Sequence, residues 1–205
     1  MARMTGPKDR ISRREGVELF GKKKSALLRR ETPPGKGIRS RRGRRLSAYG
    51  TRLREKQKVK RLYGVFERQF RRFYENAKKQ KGNTGENLLL LLERRLDNVV
   101  FALGFGNTRP MARQMVVHGH ICVNGRKATR PSMLISAGDK VTIRPKDNSQ
   151  ELAKSGLEMS RSLRSPPSWV QIDDNGLVGT VATLPSREDV PIDINELFVV
   201  EACSR

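Results

Sequence analysis

Between Thr51 and Gln80 apolar side chains return at steps of three and four: Val59, Leu62, Phe66, Phe70, Phe73 and Ala77. That spacing keeps one stripe of an α-helix apolar, so the segment predicts one long amphipathic helix, or two joined near Gly64. A second stripe, Leu89, Leu92, Leu96, Val99, Val100 and Leu103, predicts another helix, with Asn83 and Glu86 spaced to cap its start. Gly104-Phe105-Gly106-Asn107 then turns the chain. Thr108 is an N-cap with Pro110 in the first turn behind it, and Gly119 ends a short helix after His118.

Past Gly119 the period shortens. Ile121-Cys122-Val123, Met133-Leu134-Ile135 and Val141-Thr142-Ile143 are short β-prone runs, and Asn124-Gly125 and Gly138-Asp139 are the turn signals of a small antiparallel sheet. Gln150 to Leu163 reads as a further helix, stopped by Pro166-Pro167. Trp169 to Ile172 and Leu177 to Ala182 read as strands around Asn175-Gly176, and Ile192 to Val200 as a short closing element. Helices with a separate antiparallel sheet define an α+β fold class. A chain of 205 residues is long enough for one or two domains with cores of their own.

The first fifty residues differ. A helix is expected from Ser12 to Leu28, since Ser12 and Glu15 have capping-box spacing. The breaker cluster Thr32-Pro33-Pro34-Gly35-Lys36-Gly37 follows, and then Arg39, Arg41, Arg42, Arg44 and Arg45. A segment this basic, with almost nothing apolar, cannot offset its ordering entropy by burial and is expected to order only against an anionic partner.

Charge narrows the choice of partner. The net charge is +22, and residues 1–81 carry 28 lysines and arginines against 7 acids, residues 82–146 carry 10 against 4, and residues 147–205 carry 5 against 10. The positive field is therefore built into one end of the chain, and the acidic last third, which holds the only Trp, is expected to pack on the rest. Nucleic acid, an anionic membrane or an acidic protein could neutralise such a field. The apolar residues are few enough to be used up by a core, which disfavours a membrane. No apolar run approaches the length of a membrane span, and Met1 to Arg10 lacks the apolar stretch of a secretory signal, so a soluble intracellular protein is expected.

Two cysteines, Cys122 and Cys203, lie far apart with no CxxC partner, so neither a disulfide framework nor a zinc knuckle is suggested. His118, His120 and Cys122 have a metal-like spacing, but Gly119 should throw the first histidine onto a different element. No metal or other cofactor is expected. At 100° per residue Arg54, Lys58, Arg61, Arg68 and Arg72 fall within about 40° of one line, roughly 130° from the apolar stripe. Only Glu67 and Glu75 are acidic between Lys56 and Lys81, too few to lace that face with ion pairs, so the ridge is expected to lie along phosphates. Arg94, Arg95 and Asn98 fall off the second stripe and are available to a ligand.

Leu53-Arg54-Glu55-Lys56-Gln57-Lys58-Val59, Tyr63-Gly64-Val65-Phe66-Glu67-Arg68-Gln69-Phe70 and Thr84-Gly85-Glu86-Asn87-Leu88-Leu89 together resemble the bacterial small-subunit ribosomal protein S-four family. The block from Glu93 to Arg144 is similar to the RNA-binding domain named after it. It carries Arg94-Arg95-Leu96-Asp97-Asn98-Val99-Val100, Thr108-Arg109, Ala112-Arg113-Gln114, His118-Gly119-His120, Val123-Asn124-Gly125 and Pro131-Ser132. Met1-Ala2-Arg3, Ser12-Arg13-Arg14-Glu15-Gly16 and Asp193-Ile194-Asn195-Glu196 extend the match nearly end to end. There are two departures. No cysteine precedes Cys122, so the chain resembles the zinc-free variety, and Ala102 stands where many members carry a basic residue.

The resemblance implies a basic arm (1–50), a helical domain (51–92, with 185–205 packing back on it), an inserted RNA-binding domain (93–157) of helices packed on a small antiparallel sheet, and strands (158–184) extending it. It implies a structural constituent of the small ribosomal subunit that binds the 5′ domain of its ribosomal RNA early in assembly and takes part in translational accuracy. Proteins S-five and S-twelve would be neighbours, with messenger RNA entering nearby. The expected location is the ribosome of the cytoplasm or of a plastid.

Ribosomal RNA helices are A-form, so recognition should rest on phosphate, sugar hydroxyl and shape, for which the planar arginine fork is suited. The expected contacts in the compact domain are Arg94, Arg95, Arg109, Arg113 and Lys127, with Gln114, His118, His120 and Asn124. Arg54, Lys58, Arg61, Arg68 and Arg72 are added from the helical part, and Arg41, Arg42, Arg44 and Arg45 from the arm. An RNA-modifying enzyme is the rival, because pseudouridine synthases and tyrosyl-tRNA synthetases carry a domain of this type and Arg95-Leu96-Asp97 mimics a synthase nucleophile motif. Here that tripeptide lies inside an apolar helical stripe, no catalytic domain remains outside the matched blocks, and no catalytic constellation stands out. A DNA-binding protein is the other reading the charge admits.

Overall fold

The computed structural model describes residues 6–21, 26–30, 32–35, 46–173, 175–190 and 192–204. Arg41, Arg42, Arg44 and Arg45 lie outside the described residues. The chain forms two compact units, Met1–Gly85 with Asp193–Arg205, and Glu86–Ile192. Residues 86–92 and 185–192 thus fall in the second unit rather than with the helical one.

The first unit is helical: α1 (Lys8–Glu15), α2 (Ala26–Arg29), α3 (Ala48–Leu62), α4 (Glu67–Lys78) and, from the end of the chain, α9 (Glu196–Glu201). Ser47 caps α3 by accepting the Gly50 N–H at 3.1 Å. The long stripe resolves into two helices, because Gly64 takes φ 62° and Val65 N donates back to Lys60 O at 2.9 Å. Val59, Leu62, Tyr63, Val65, Phe70, Phe73 and Ala77 are buried, whereas Phe66, at the N-cap of α4, is exposed. Helix α9 is tied to α3: Arg52 pairs with Glu201, and Lys56 Nζ donates to Ala202 O at 3.4 Å.

The expected helix from Ser12 to Leu28 is not formed. Helix α1 begins four residues earlier and stops at Gly16, which takes φ 70°. Ser12 is buried inside it, and its hydroxyl accepts the Leu19 N–H at 3.5 Å instead of capping.

The second unit contains α5 (Thr84–Glu93, whose first two residues belong to the first unit), α6 (Leu96–Ala102), α7 (Arg109–Val117) and α8 (Asp147–Arg161). Its sheet holds β1 (Ile121–Val123), β2 (Arg126–Lys127), β3 (Lys140–Ile143), β4 (Val170–Ile172) and β5 (Val178–Val181). The strands are antiparallel in the order β2-β1-β3-β5-β4, with Cys122 opposite both Lys127 and Thr142, and Val141 opposite Gly179. One core joins Val99, Leu103, Phe105, Ala112 and Met115 from the helical side, Ile121, Val141, Ile143 and Val181 from the sheet, and Ala153 and Leu157 from α8. Each such large side chain contributes about 1.5–3 kcal/mol by leaving water.

Two expectations for this unit change together. The stripe from Leu89 to Leu103 is broken at Arg95, whose ψ of 137° is extended, and Met133–Ile135 is not a sheet strand. The two segments satisfy each other: Leu96 N donates to Met133 O at 2.8 Å and Ile135 N to Arg94 O at 2.9 Å, with an isolated bridge between Arg95 and Leu134. Apolar periodicity is indifferent to such a break, because Leu96 and Val99 stay buried on either reading. No helix among the described residues is long and apolar enough to cross a membrane.

Candidate nucleic-acid interface

The pair α6–α7 holds two arginines by side-chain hydrogen bonds. Thr108 caps α7, its hydroxyl accepting the Met111 N–H at 3.4 Å, with Pro110 in the first turn, and this sets Arg109 and Arg113 one helical turn apart on one face. Consecutive residues at the start of α6 receive them. Asp97 Oδ2 accepts from Arg113 Nη1 at 2.8 Å, and Asn98 Oδ1 accepts from Arg109 Nε at 2.9 Å. Behind these, Asn98 Nδ2 donates to the Glu93 carboxylate and carbonyl, and Arg95 donates twice to Asp97, at 3.0 and 2.7 Å.

Arg95 was expected to contact RNA. Its side chain is fully buried, so it supports the Asp97 carboxylate from inside and cannot reach a phosphate from this position. Arg94 is half-buried, with Nε donating to Ile135 O at 3.0 Å. Adjacent arginines thus have different surroundings, because the extended residue between α5 and α6 turns one inward.

Gln114 and His118 are exposed along α7, and His120 is half-buried at the start of β1. The two imidazoles lie 6.1 Å apart, and His120 Nδ1 is 2.9 Å from Ser149 Oγ. Burial, then His118 and Arg144, push the His120 pKa below 6.5. Gly119 takes φ 74°, and a Cβ there would meet Lys127 Cε at 2.2 Å, so the bare glycine lets the Lys127 stem lie across the turn between the histidines. Asn124 takes φ 49° in the β1–β2 turn. Its amide is engaged at both ends, donating to Asp139 at 2.8 Å and accepting from Lys140 N at 2.9 Å, so it fixes the hairpin to β3.

Beside that hairpin is a cleft of about 490 Å³ lined by Asn124, Arg126, Lys127, Arg130 and the apolar Val123, Ala128 and Met133. Arg126 and Arg130, exposed at its rim, were not singled out from sequence, although Arg126-Lys127 directly after the Asn124-Gly125 turn marked the place. Arg164 was also missed. It lies beyond α8, yet its guanidinium carbon sits 3.4 Å from the Phe101 ring centroid. Among the described residues no group of three or more His, Cys, Asp and Glu side chains is placed to hold a metal ion.

In the helical unit the expected ridge divides. Arg68 and Arg72 on α4 are exposed. Arg54 and Arg61 on α3 instead converge on one oxygen of Glu15, and Lys58 pairs with Glu55 at 2.6 Å. Lys56 and Lys60 share Glu67, at 2.6 and 2.7 Å. The count of acids near the ridge misled, because Glu15 arrives from α1, 39 residues upstream of Arg54. Burial raises the Glu15 pKa above 4.5 against the lowering pull of Arg54, Arg61, Lys58 and Arg14.

Comparison with known proteins agrees along the whole chain. Residues 3–93 match the family described as Ribosomal protein S4/S9 N-terminal domain, and residues 94–141 match the S4 domain. The chain is 50% identical over 210 residues to the small ribosomal subunit protein uS4 of Shewanella violacea. It is 49% identical over 211 residues to that of Thermoanaerobacter pseudethanolicus and 51% over 212 residues to that of Herpetosiphon aurantiacus. In each case the match covers 100% of both chains.

Proposed function

The chain belongs to the uS4 family of small ribosomal subunit proteins, and on that premise we propose that it is a primary binder of the 5′ domain of small-subunit ribosomal RNA, nucleating assembly and contributing to translational accuracy. Its role is structural, within the ribosome, and not enzymatic. The observation that carries the RNA reading is the pair Arg109 and Arg113, each oriented by a side chain of α6 before any ligand arrives. A guanidinium already held in one geometry loses less entropy on meeting a phosphate than a free surface lysine does.

The surface proposed to meet RNA runs from Arg109, Arg113, Gln114 and His118 on α7, past His120, Asn124 and Lys127 at the hairpin, with Arg94 beside it. Arg54, Lys58, Arg61, Arg68 and Arg72 are assigned to the same role in the helical unit, and Arg41, Arg42, Arg44 and Arg45 in the arm. Proteins S-five and S-twelve are the proposed neighbours, close to where messenger RNA enters. Binding of the purified protein to a 5′-domain RNA fragment, measured from low to high salt, tests the reading. If about ten phosphates are neutralised, the log-log slope is on the order of −7 to −9. A flat salt dependence, or equal affinity for duplex DNA at moderate salt, would refute it.

A further inference from the structure

The hairpin β1–β2 and the segment after it line the cleft of about 490 Å³. Backbone bonds hold that lining in place. Ala128 N donates to Ile121 O at 3.0 Å, which keeps the end of the hairpin on β1. Asp97 N donates to Pro131 O at 3.2 Å and Leu96 N to Met133 O at 2.8 Å, while Met133 N donates back to Arg130 O at 3.1 Å. One side of the cleft is therefore anchored to the start of α6, where Asp97 also accepts from Arg113.

The lining divides by chemistry. Val123, Ala128 and Met133 are its apolar part, and of these only Met133, 41% exposed, is open to solvent. Arg126, Lys127 and Arg130 are its cationic part; all three are exposed, and among the described residues none of them pairs with a carboxylate. Lys56, Lys58 and Arg61 of the helical unit differ, since each is held by a glutamate of the chain. Thr129 adds an exposed hydroxyl between Lys127 and Arg130.

A cleft of this volume takes a small organic group, for which sites of about 300 to 1,000 Å³ are usual, whereas a bare phosphate has no use for an apolar wall. An open methionine among three cations is covered best by a group that is apolar on its face and anionic beside it. A nucleotide has both parts. Bases splayed out of RNA loops and bulges stack on guanidinium planes as well as on aromatic rings, and their edges take hydrogen bonds from short polar side chains.

We propose that this cleft receives the base of one unpaired nucleotide of RNA, with Met133 against the base and Arg126, Lys127 and Arg130 around its phosphate. The proposal rests on the RNA-binding reading above and names the element of RNA that the hairpin recognises. An acidic peptide would also answer the charge, but the anchoring to the Asp97 that holds Arg113 makes the cleft continuous with the surface proposed to meet RNA.

The test uses the full chain and the 5′-domain RNA fragment, in which unpaired nucleotides are made abasic one at a time. One such RNA is expected to bind the native protein about fivefold or more weakly, the loss of one stacked base. Met133→Ala should weaken binding of the intact RNA about threefold with the salt slope unchanged, since no charge is removed. Arg130→Gln should weaken it and make the slope shallower by about one. Both variants should be less sensitive than the native protein to that same abasic nucleotide, because the contact is already impaired. If Met133→Ala does not melt as the native protein does, Arg130→Gln, altered at an exposed side chain, carries the comparison.

A steep native salt slope with no abasic position that weakens binding, or with every position felt equally by native protein and variants, would overturn the cleft and leave the RNA reading standing. Native RNA affinity in both variants would overturn it too, and would give the cleft to an acidic peptide instead. A flat native salt slope would overturn the RNA reading, and the cleft's part in it.

Discussion

Asp97 and Arg113 meet through Asp97 Oδ2, at 2.8 Å, and the same oxygen accepts from the buried Arg95 at 2.7 Å. The carboxylate therefore links the interior to the surface. Asp97→Ala removes the carboxylate that accepts twice from the buried Arg95, and breaking such a buried pair costs about 3 kcal/mol or more. Urea denaturation measures this, and a loss under about 1 kcal/mol would show that the pair does not support the unit.

Arg113 and Arg109 are more dispensable to folding. Each has a half-exposed side chain, and without Arg113 the Asp97 carboxylate keeps its two bonds to Arg95. Arg113→Ala is expected to lower RNA affinity about tenfold, with a melting temperature within a few degrees of native. Filter binding and calorimetry on the same preparation separate the two quantities.

The divided ridge makes a contrast testable within one unit. Arg68→Ala and Arg72→Ala should reduce RNA affinity and leave stability unchanged, since both side chains are exposed. Arg61→Ala removes one of the two arginines on the buried Glu15 carboxylate, so it should destabilise the unit by about 1–2 kcal/mol. The opposite pattern would mean that α1 leaves α3 in the RNA-bound protein.

Glu15 also predicts a pH dependence. Its folded pKa is raised by burial, so the folded state holds the proton more tightly than the unfolded state does. Its contribution is fully present below the unfolded value near 4.5 and is lost as pH rises through the raised one. A carboxyl NMR titration should place the midpoint above 4.5, and Glu15→Gln should remove that part of the stability-versus-pH slope.

His120 behaves with the opposite sense. Its folded pKa lies below 6.5, from burial first and then from His118 and Arg144, so the unfolded chain binds the proton more readily. The associated stability is present above pH 6.5 and is lost as pH falls through the folded value. His118→Gln should raise the His120 midpoint toward 6.5 in a proton NMR titration, and bound RNA should raise it further if phosphate lies at Lys127.

Helix α7 was legible because its signals are local: Thr108, Pro110 and Gly119. Within that helix Arg109 and Arg113 stand four residues apart and so share a face. What local signals could not reveal depends on residues distant in sequence. Arg94 and Arg95 are alike in composition, and only the pairing of Met133–Ile135 with the break before α6 turns Arg95 inward. Glu15 reaches Arg54 across 39 residues, and Arg164 reaches Phe101 across 63. Ser12, read as a cap, is inside α1, because Gly16 ends that helix and no periodic apolar run marks where it begins.

Helix α9, which docks on α3, is translated after the entire second unit. The unit encoded first is thus completed last, while the second, being one uninterrupted stretch, has all its strands and helices before the final residues are added. Vectorial synthesis would then reverse the usual amino-to-carboxyl order of maturation, and a nascent chain stalled before Asp193 would carry a finished sheet and an open helical layer.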